Sequence, residues 1–248
     1  MSGHSKWATT KRKKARIDGA RAKVFNRIIR EVTVAARMGG SDISANARLK
    51  TAVLKAKSAN MPAKNIETAI AKGANELEGV TYFEPTYEGY GPGGISIMVD
   101  CMTDNKTRTV ANIRNLFSKN GGNMAEPGSV AWMFDTKGVI TLSKEAIDEE
   151  MLLDLIIEAG AEDLDSSGEE YRITMEQDNF SKVMEALTKK ELETTSAEIS
   201  RIPQNTIKVE SNIAKKALNF LNLLDEEDDV QNVFVNAEFD DKDLEDLD

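Results

Sequence analysis

The stretch that decides the fold is residues 139–199, VITLSKEAIDEEMLLDLIIEAGAEDLDSSGEEYRITMEQDNFSKVMEALTKKELETTSAEI. Its apolar period alternates between two and 3.6. That predicts a strand over 139–142, a helix over 148–159, strands over 161–164 and 170–174, a helix over 179–187 and a strand over 193–199. The order β-α-β-β-α-β is that of a ferredoxin-like unit.

Outward from this block the same reading continues. Upstream it gives strands over 86–88, 95–102 and 130–134, and a helix over 108–119 with Val110, Ile113 and Phe117 on one face and Gly121-Gly122 as its stop. Downstream it gives a helix over 211–224 and a strand over 230–236. Residues 81–136 and 204–240 thus form a second split α+β unit into which 137–203 is inserted. The acidic runs, DEEDD at 225–229 and residues 241–248, read as a solvated helix-end loop and a frayed acidic tail.

Residues 1–80 are different. After a polar, basic arm over 1–16 come three short helices. One spans 20–38, with Asp18 as N-cap and Gly39-Gly40 as stop; the others span 44–58 and 62–73, the last with Pro62 in its first turn. On the first helix Val24, Ile28, Val32 and Ala35 share one arc, and Lys23, Arg27, Arg30 and Arg37 another. The fold class is therefore α+β and multidomain, a basic three-helix bundle followed by two ferredoxin-like or split α+β domains.

The net charge of −10 over 248 residues conceals an asymmetry. Residues 1–75 carry 17 Lys and Arg against four acids, a net of +13, and the remainder carries −23. Solubility alone does not require such a split. It points to a polyanion-binding end and an acidic body. Nine cations fall within residues 11–30: Lys11, Arg12, Lys13, Lys14, Arg16, Arg21, Lys23, Arg27 and Arg30. Lys6 and Trp7 extend this candidate nucleic-acid-binding set, with Trp7 and Phe25 nearby for base stacking, Phe25 being read equally as a core residue. No run reaches the roughly 18 apolar residues of a membrane span, and no apolar signal-peptide core follows the basic N-terminus. The expectation is a cytoplasmic protein with no membrane partner.

Chemistry is harder to find. Gly89, Gly91 and Gly94 spell G-x-G-x-x-G but run into the strand-like ISIMVDC rather than a helix, so a hairpin turn is the reading, not a dinucleotide site. Asp163, Asp165, Ser167 and Gly168 imitate a calcium loop whose twelfth position is Thr174 instead of a bidentate Glu. His4 has no second ligand at useful spacing, and Cys101 sits in an apolar strand as a structural thiol. The carboxylates read as distributed surface charge. No metal, cofactor or enzymatic activity is implied.

Six segments carry a resemblance: GHSKW at 3–7, KRKKARIDGARAKVF at 11–25, MPAKNIETAIAKG at 61–73, YEGYGPGG at 87–94, TDNKTRTVANIR at 103–114 and GSVAWMF at 128–134. Together they resemble the YebC family, bacterial proteins labelled probable transcriptional regulators, with mitochondrial relatives that activate translation of a cytochrome oxidase subunit. Ala74-Asn75 departs from the glycine usual after Lys72-Gly73, and Thr107 from a common asparagine. The resemblance implies three domains, no known enzymatic activity, and control of gene expression. Two mechanisms compete: binding promoter DNA, or binding the ribosome to assist synthesis of proline-rich stretches. It also nominates Tyr90, Asn105 and Arg108 as binding-loop residues.

A DNA reader would lay the first or third helix in a major groove, yet no compact set of Asn, Gln and Arg opens either helix. A ribosome-bound factor needs only RNA phosphate and shape recognition by the basic end, while the acidic domains reach basic ribosomal proteins. The charge split fits the second somewhat better. A protein-interaction adaptor is the third reading.

Overall fold

The computed structural model describes residues 21–75 and 81–245. The expected Asp18 cap lies outside these residues. The chain divides into two compact units, one built from 81–135 and 202–245 and the other from 22–75 and 136–201.

The second unit holds two separate cores. Its helices are α1 (Arg21–Gly39), α2 (Ala47–Ser58) and α3 (Ala63–Asn75). Ile28, Val32, Ala35 and Ala36 of α1 pack with Leu49, Ala52, Val53 and Ala56 of α2 and with Ile66 and Ala69 of α3. The expected start of α2 at residue 44 moves to Ala47, and one buried side chain explains why. Asn46 Oδ1 accepts the Leu49 amide (3.0 Å), making Asn46 the N-cap. Its Nδ2 donates to the carbonyls of Ala35 and Gly40 (both 2.8 Å), satisfying orphan groups at the end of α1. Gly73 sets the approach of α3: a Cβ there would lie 2.3 Å from the Thr33 carbonyl oxygen.

The other core of this unit lies under a four-stranded sheet made of β4 (Phe134–Ser143), β5 (Asp163–Asp165), β6 (Glu170–Glu176) and β7 (Thr194–Pro203). With α5 (Glu149–Glu158) and α6 (Phe180–Lys189), they follow one another as β-α-β-β-α-β. The hydrogen-bonded order is β5-β6-β4-β7, so the third strand of the motif pairs with the first, as in a ferredoxin-like sheet. Ile140, Leu142, Ile173 and Met175 face Leu152, Ile156, Phe180, Val183 and Leu187.

In the first unit the sheet order is β3-β1-β2-β9, from β1 (Thr86–Tyr90), β2 (Ser96–Cys101), β3 (Asn123–Ala125) and β9 (Val230–Val235). Helices α4 (Lys106–Lys119) and α7 (Ser211–Glu226) supply Ile113, Phe117, Leu218, Phe220, Leu221 and Leu224 to a core with Ile97, Val99, Val233 and Val235. Phe117 and Phe220 meet edge to face at 5.0 Å. Gly89 makes room for that pair, since a Cβ would stand 2.4 Å from a Phe117 ring carbon. The glycine-rich text turns the hairpin from β1 to β2, with Gly93 and Gly94 at φ of +83° and +75°.

Two expectations are corrected, and one pair of strands was not foreseen. Residues 130–134 are not a strand: Ala131–Met133 form a 3-10 turn, because the amides of Val130 and Ala131 bond to the buried Glu88 carboxylate (2.8 and 2.9 Å) instead of a sheet ladder. Residues 241–248 are not wholly a frayed tail, for α8 (Asp241–Glu245) buries Leu244 in the core of this unit. The two-residue strands β8 (Ile207–Lys208) and β10 (Ala237–Glu238), which pair in parallel, are too short to show a period.

Asn46→Ala removes a cap and two further buried bonds, and should lower the stability of the helical core by about 2–3 kcal/mol. Asn46→Ser, whose hydroxyl keeps the cap without placing an acceptor against the Ala35 and Gly40 carbonyls, should fall between Ala and wild type in urea unfolding followed by helical circular dichroism.

Candidate nucleic-acid interface

Lys6, Trp7, Lys11, Arg12, Lys13, Lys14 and Arg16 lie outside the described residues, as do His4 and the side chain of Arg21. Lys23, Arg27 and Arg30 sit on the N-terminal half of α1 and are each half-buried. Further along, Val32, Thr33, Val34, Ala35 and Ala36 are buried at five consecutive positions. A helix buried at five successive residues is covered on every side there, so residues 32–36 offer no face for a groove, while Met38 beyond them is exposed.

The open cations belong elsewhere. Lys50 and Lys57 of α2, seven residues apart on one stripe, are exposed, as are Lys64 and Lys72 of α3. The exposed face of α3 also carries Asn65 and Thr68. Lys55 is exposed and reaches Glu198 at 3.4 Å, and Arg48 grips Glu31 with two bonds of 2.7 and 3.0 Å. Sequence reasoning singled out none of the α2 and α3 lysines. They were inside the charge total, but scattered at positions 50, 55, 57, 64 and 72 they form no run.

The nominated loop residues turn out to hold the fold. Tyr90 donates its hydroxyl to the Ser129 carbonyl (3.3 Å). Asn105 is the N-cap of α4, its Oδ1 accepting the Arg108 amide at 3.0 Å. Arg108 donates to Asp104 (2.8 Å) and to Asp229 (2.9 Å). Cys101 is buried in β2.

Asp229 is the group the sequence hid. It closes the DEEDD run, read as solvated, yet it is buried. Besides Arg108, its carboxylate accepts the hydroxyls of Thr109 (2.7 Å) and Thr103 (3.1 Å). Burial pushes its pKa up, but the bonds from Arg108, Thr109 and Thr103 outweigh that and hold the carboxyl below its ordinary value. Glu88 is the second buried carboxylate, accepting the amides of Gly128 (2.7 Å), Val130 and Ala131. It fixes the turn from which Trp132 projects, 67% exposed, with its indole N–H donated to the Ser129 carbonyl at 3.1 Å. The expectation that carboxylates are surface charge fails at these two positions, where two hydroxyls and a guanidinium converge on Asp229 and three backbone amides on Glu88.

The model of the TACO1/YebC protein N-terminal domain matches residues 5–76, and that of the TACO1/YebC second and third domain matches 82–237. The chain belongs to the TACO1/YebC family. It is 51% identical to a probable transcriptional regulatory protein of Natranaerobius thermophilus, over 99% of each chain. It is 50% identical to one of Treponema pallidum (96% of this chain, 97% of the relative), and 49% to one of Geobacter sulfurreducens over the whole of both. The crystal structure of a conserved hypothetical protein from Aquifex aeolicus is similar at a TM-score of 0.82 and 42% identity, over 90% of this chain and 93% of that one. Among the described residues no helix is long and apolar enough to cross a membrane.

Asp229→Asn should destabilise the first unit by about 2–3 kcal/mol near neutral pH, the half-exposed Arg108 making the loss smaller than for a fully buried pair. A carboxyl with a lowered folded pKa stabilises above its unfolded value, about 4, and loses that contribution as pH falls through the folded value. The gap in urea midpoint between wild type and Asp229→Asn should therefore be constant above about pH 5 and shrink on acidification below 4.

Proposed function

We propose that the protein is a non-enzymatic, nucleic-acid-binding regulator of gene expression that holds its partner through the basic end. The observation that carries this reading is the charge split, +13 in residues 1–75 against −23 in the rest, with Lys50, Lys57, Lys64 and Lys72 open on the surface of that end. The name of the relatives, probable transcriptional regulatory protein, supports regulation as the outcome. Binding rests on phosphate contacts by the lysines of α2 and α3 and by Lys6, Lys11, Arg12, Lys13, Lys14 and Arg16, with Lys23, Arg27 and Arg30 flanking them. Trp7 stacks on an unpaired base.

Two polyanions compete, promoter DNA and ribosomal RNA. The burial of α1 over residues 32–36 takes that stretch away from a major-groove reader and leaves α3 as the exposed helix; the RNA reading is favoured because a phosphate- and shape-reading surface needs no recognition helix at all. In that arrangement the acidic domains approach the basic ribosomal proteins, and the protein assists translation of difficult stretches.

Replacing Arg12, Lys13, Lys14 and Arg16 by Ala should weaken binding to every nucleic acid tested and flatten the dependence of log affinity on log salt. Each lost phosphate contact flattens the slope by about 0.7–0.9. Unchanged affinity would remove the nucleic-acid reading. Sequencing of cross-linked RNA and DNA from cells separates the two partners: enrichment of ribosomal RNA is expected, and promoter DNA without ribosomal RNA would overturn the translational form.

A further inference from the structure

Residues 145–171 contain eleven Asp and Glu and no Lys, Arg or His. The helix at the centre of this stretch, α5, is apolar on more sides than its own domain covers. Leu152 and Ile156 are buried in the ferredoxin-like core and Leu155 packs against it. On the far side Leu153 is 40% exposed, Ile157 59% and Met151 65%. An amphipathic helix turns its apolar side to the core, whereas α5 also leaves three large apolar side chains in water beside its acidic residues.

Their placement is ordered. Leu153 and Ile157, four residues apart, form one stripe along the helix. Glu150 and Asp154, also four apart and exposed, form the neighbouring stripe, with Met151 and Glu158 beyond it. An acidic ridge thus runs between two apolar shoulders. The carboxylates repel nucleic acid, so this face is closed to the polyanion of the basic end. They attract a cationic partner, and the apolar shoulders give such a partner something to bury.

We propose that the outer face of α5 is a protein-docking surface for a lysine- and arginine-rich segment that carries apolar anchors, a basic amphipathic helix being the fitting shape. Charge complementarity names the occupant: the surface offers Glu150, Asp154 and Glu158 around Leu153, Ile157 and Met151, and only a segment with both features satisfies it. The proposal deepens the reading of the acidic body as the protein-binding half and assigns it to one helix.

The test uses the full chain and a labelled synthetic amphipathic helix of leucine and lysine, read by fluorescence anisotropy at roughly physiological salt. Two variants divide the surface, Leu153→Ser/Ile157→Ser and Glu150→Gln/Asp154→Asn/Glu158→Gln. Each should weaken binding by about tenfold or more, with wild-type unfolding midpoints because the altered groups are exposed. A serine–lysine peptide of equal charge should bind wild type correspondingly less well. Wild-type affinity in either variant overturns the proposal, as does equal binding of the two peptides, which would reduce the effect to charge alone. Dissociation of a wild-type dimer by Leu153→Ser/Ile157→Ser would make a second copy the occupant and also overturn it. Nucleic-acid affinity measured on the same variants stays at the wild-type value if the basic end acts independently, so failure of that function and failure of this surface show in different assays.

Discussion

One carboxylate, Asp229, joins parts of the chain 126 residues apart, and the first unit depends on it. The Asp229 carbonyl accepts the Met102 amide where β2 ends, and its side chain gathers Thr103, Thr109 and Arg108 at the start of α4. At the other end of the β2–β9 seam, Asn236 bonds the Ser96 amide through its Oδ1 (2.7 Å), and its own amide bonds the Ser96 carbonyl. The ladder between β2 and β9 is thus tied at both ends by buried polar groups. A polar group in such a place is stabilising only when every bond is made, and Asp229 makes them to two hydroxyls and a guanidinium. That concentrates the fold of an interrupted unit in a few hydrogen bonds.

What the sequence revealed and what it concealed follow from the range of the forces involved. Periodicity reports which residues face a core, so the ferredoxin-like order was readable from Ile140, Leu142, Leu152, Ile156, Ile173 and Val183, and the hairpin at Gly93-Gly94 from its context. Periodicity carries nothing about a distant hydrogen-bond acceptor. Val130–Phe134 has the composition of a strand, and it becomes a 3-10 turn only because Glu88, more than forty residues earlier, takes its amides. Asp229 looks like its four acidic neighbours until Thr103 and Thr109 are seen to converge on it. For the candidate site the sequence placed the positive charge at one end of the chain. It did not distinguish the half-buried Lys23, Arg27 and Arg30 from the open Lys50, Lys57, Lys64 and Lys72, since that difference arises from how the three helices pack.

Tyr90, Asn105 and Arg108 show the same limit from the other side. Each lies in a segment resembling the family, which suggested binding. Each makes an internal bond, to Ser129, to the Arg108 amide of α4, and to Asp104 and Asp229, while Asn105 and Arg108 stay exposed. A recurring polar loop residue is as readily a keystone of the loop as a contact for a ligand. Trp132 on its Glu88-held turn and the outer face of α5 are the reverse case: large apolar groups that the fold holds in the open.

The interruption of the first sheet also bears on how the chain is made. β1 and β2 are synthesised early, but the partner of β2, Val230–Val235, follows the whole of the ferredoxin-like insertion. During that interval β2 is a sheet edge bearing Ile97 and Val99, both of them fully buried in the finished protein. An unpaired edge with β-branched apolar side chains invites pairing with other chains. The inserted sheet, continuous from Phe134 to Pro203, has no such wait. On a ribosome the nascent chain therefore passes through a stage in which its third domain is complete and its second still open, and β9, which emerges only after that domain, is the strand that shields it from aggregation.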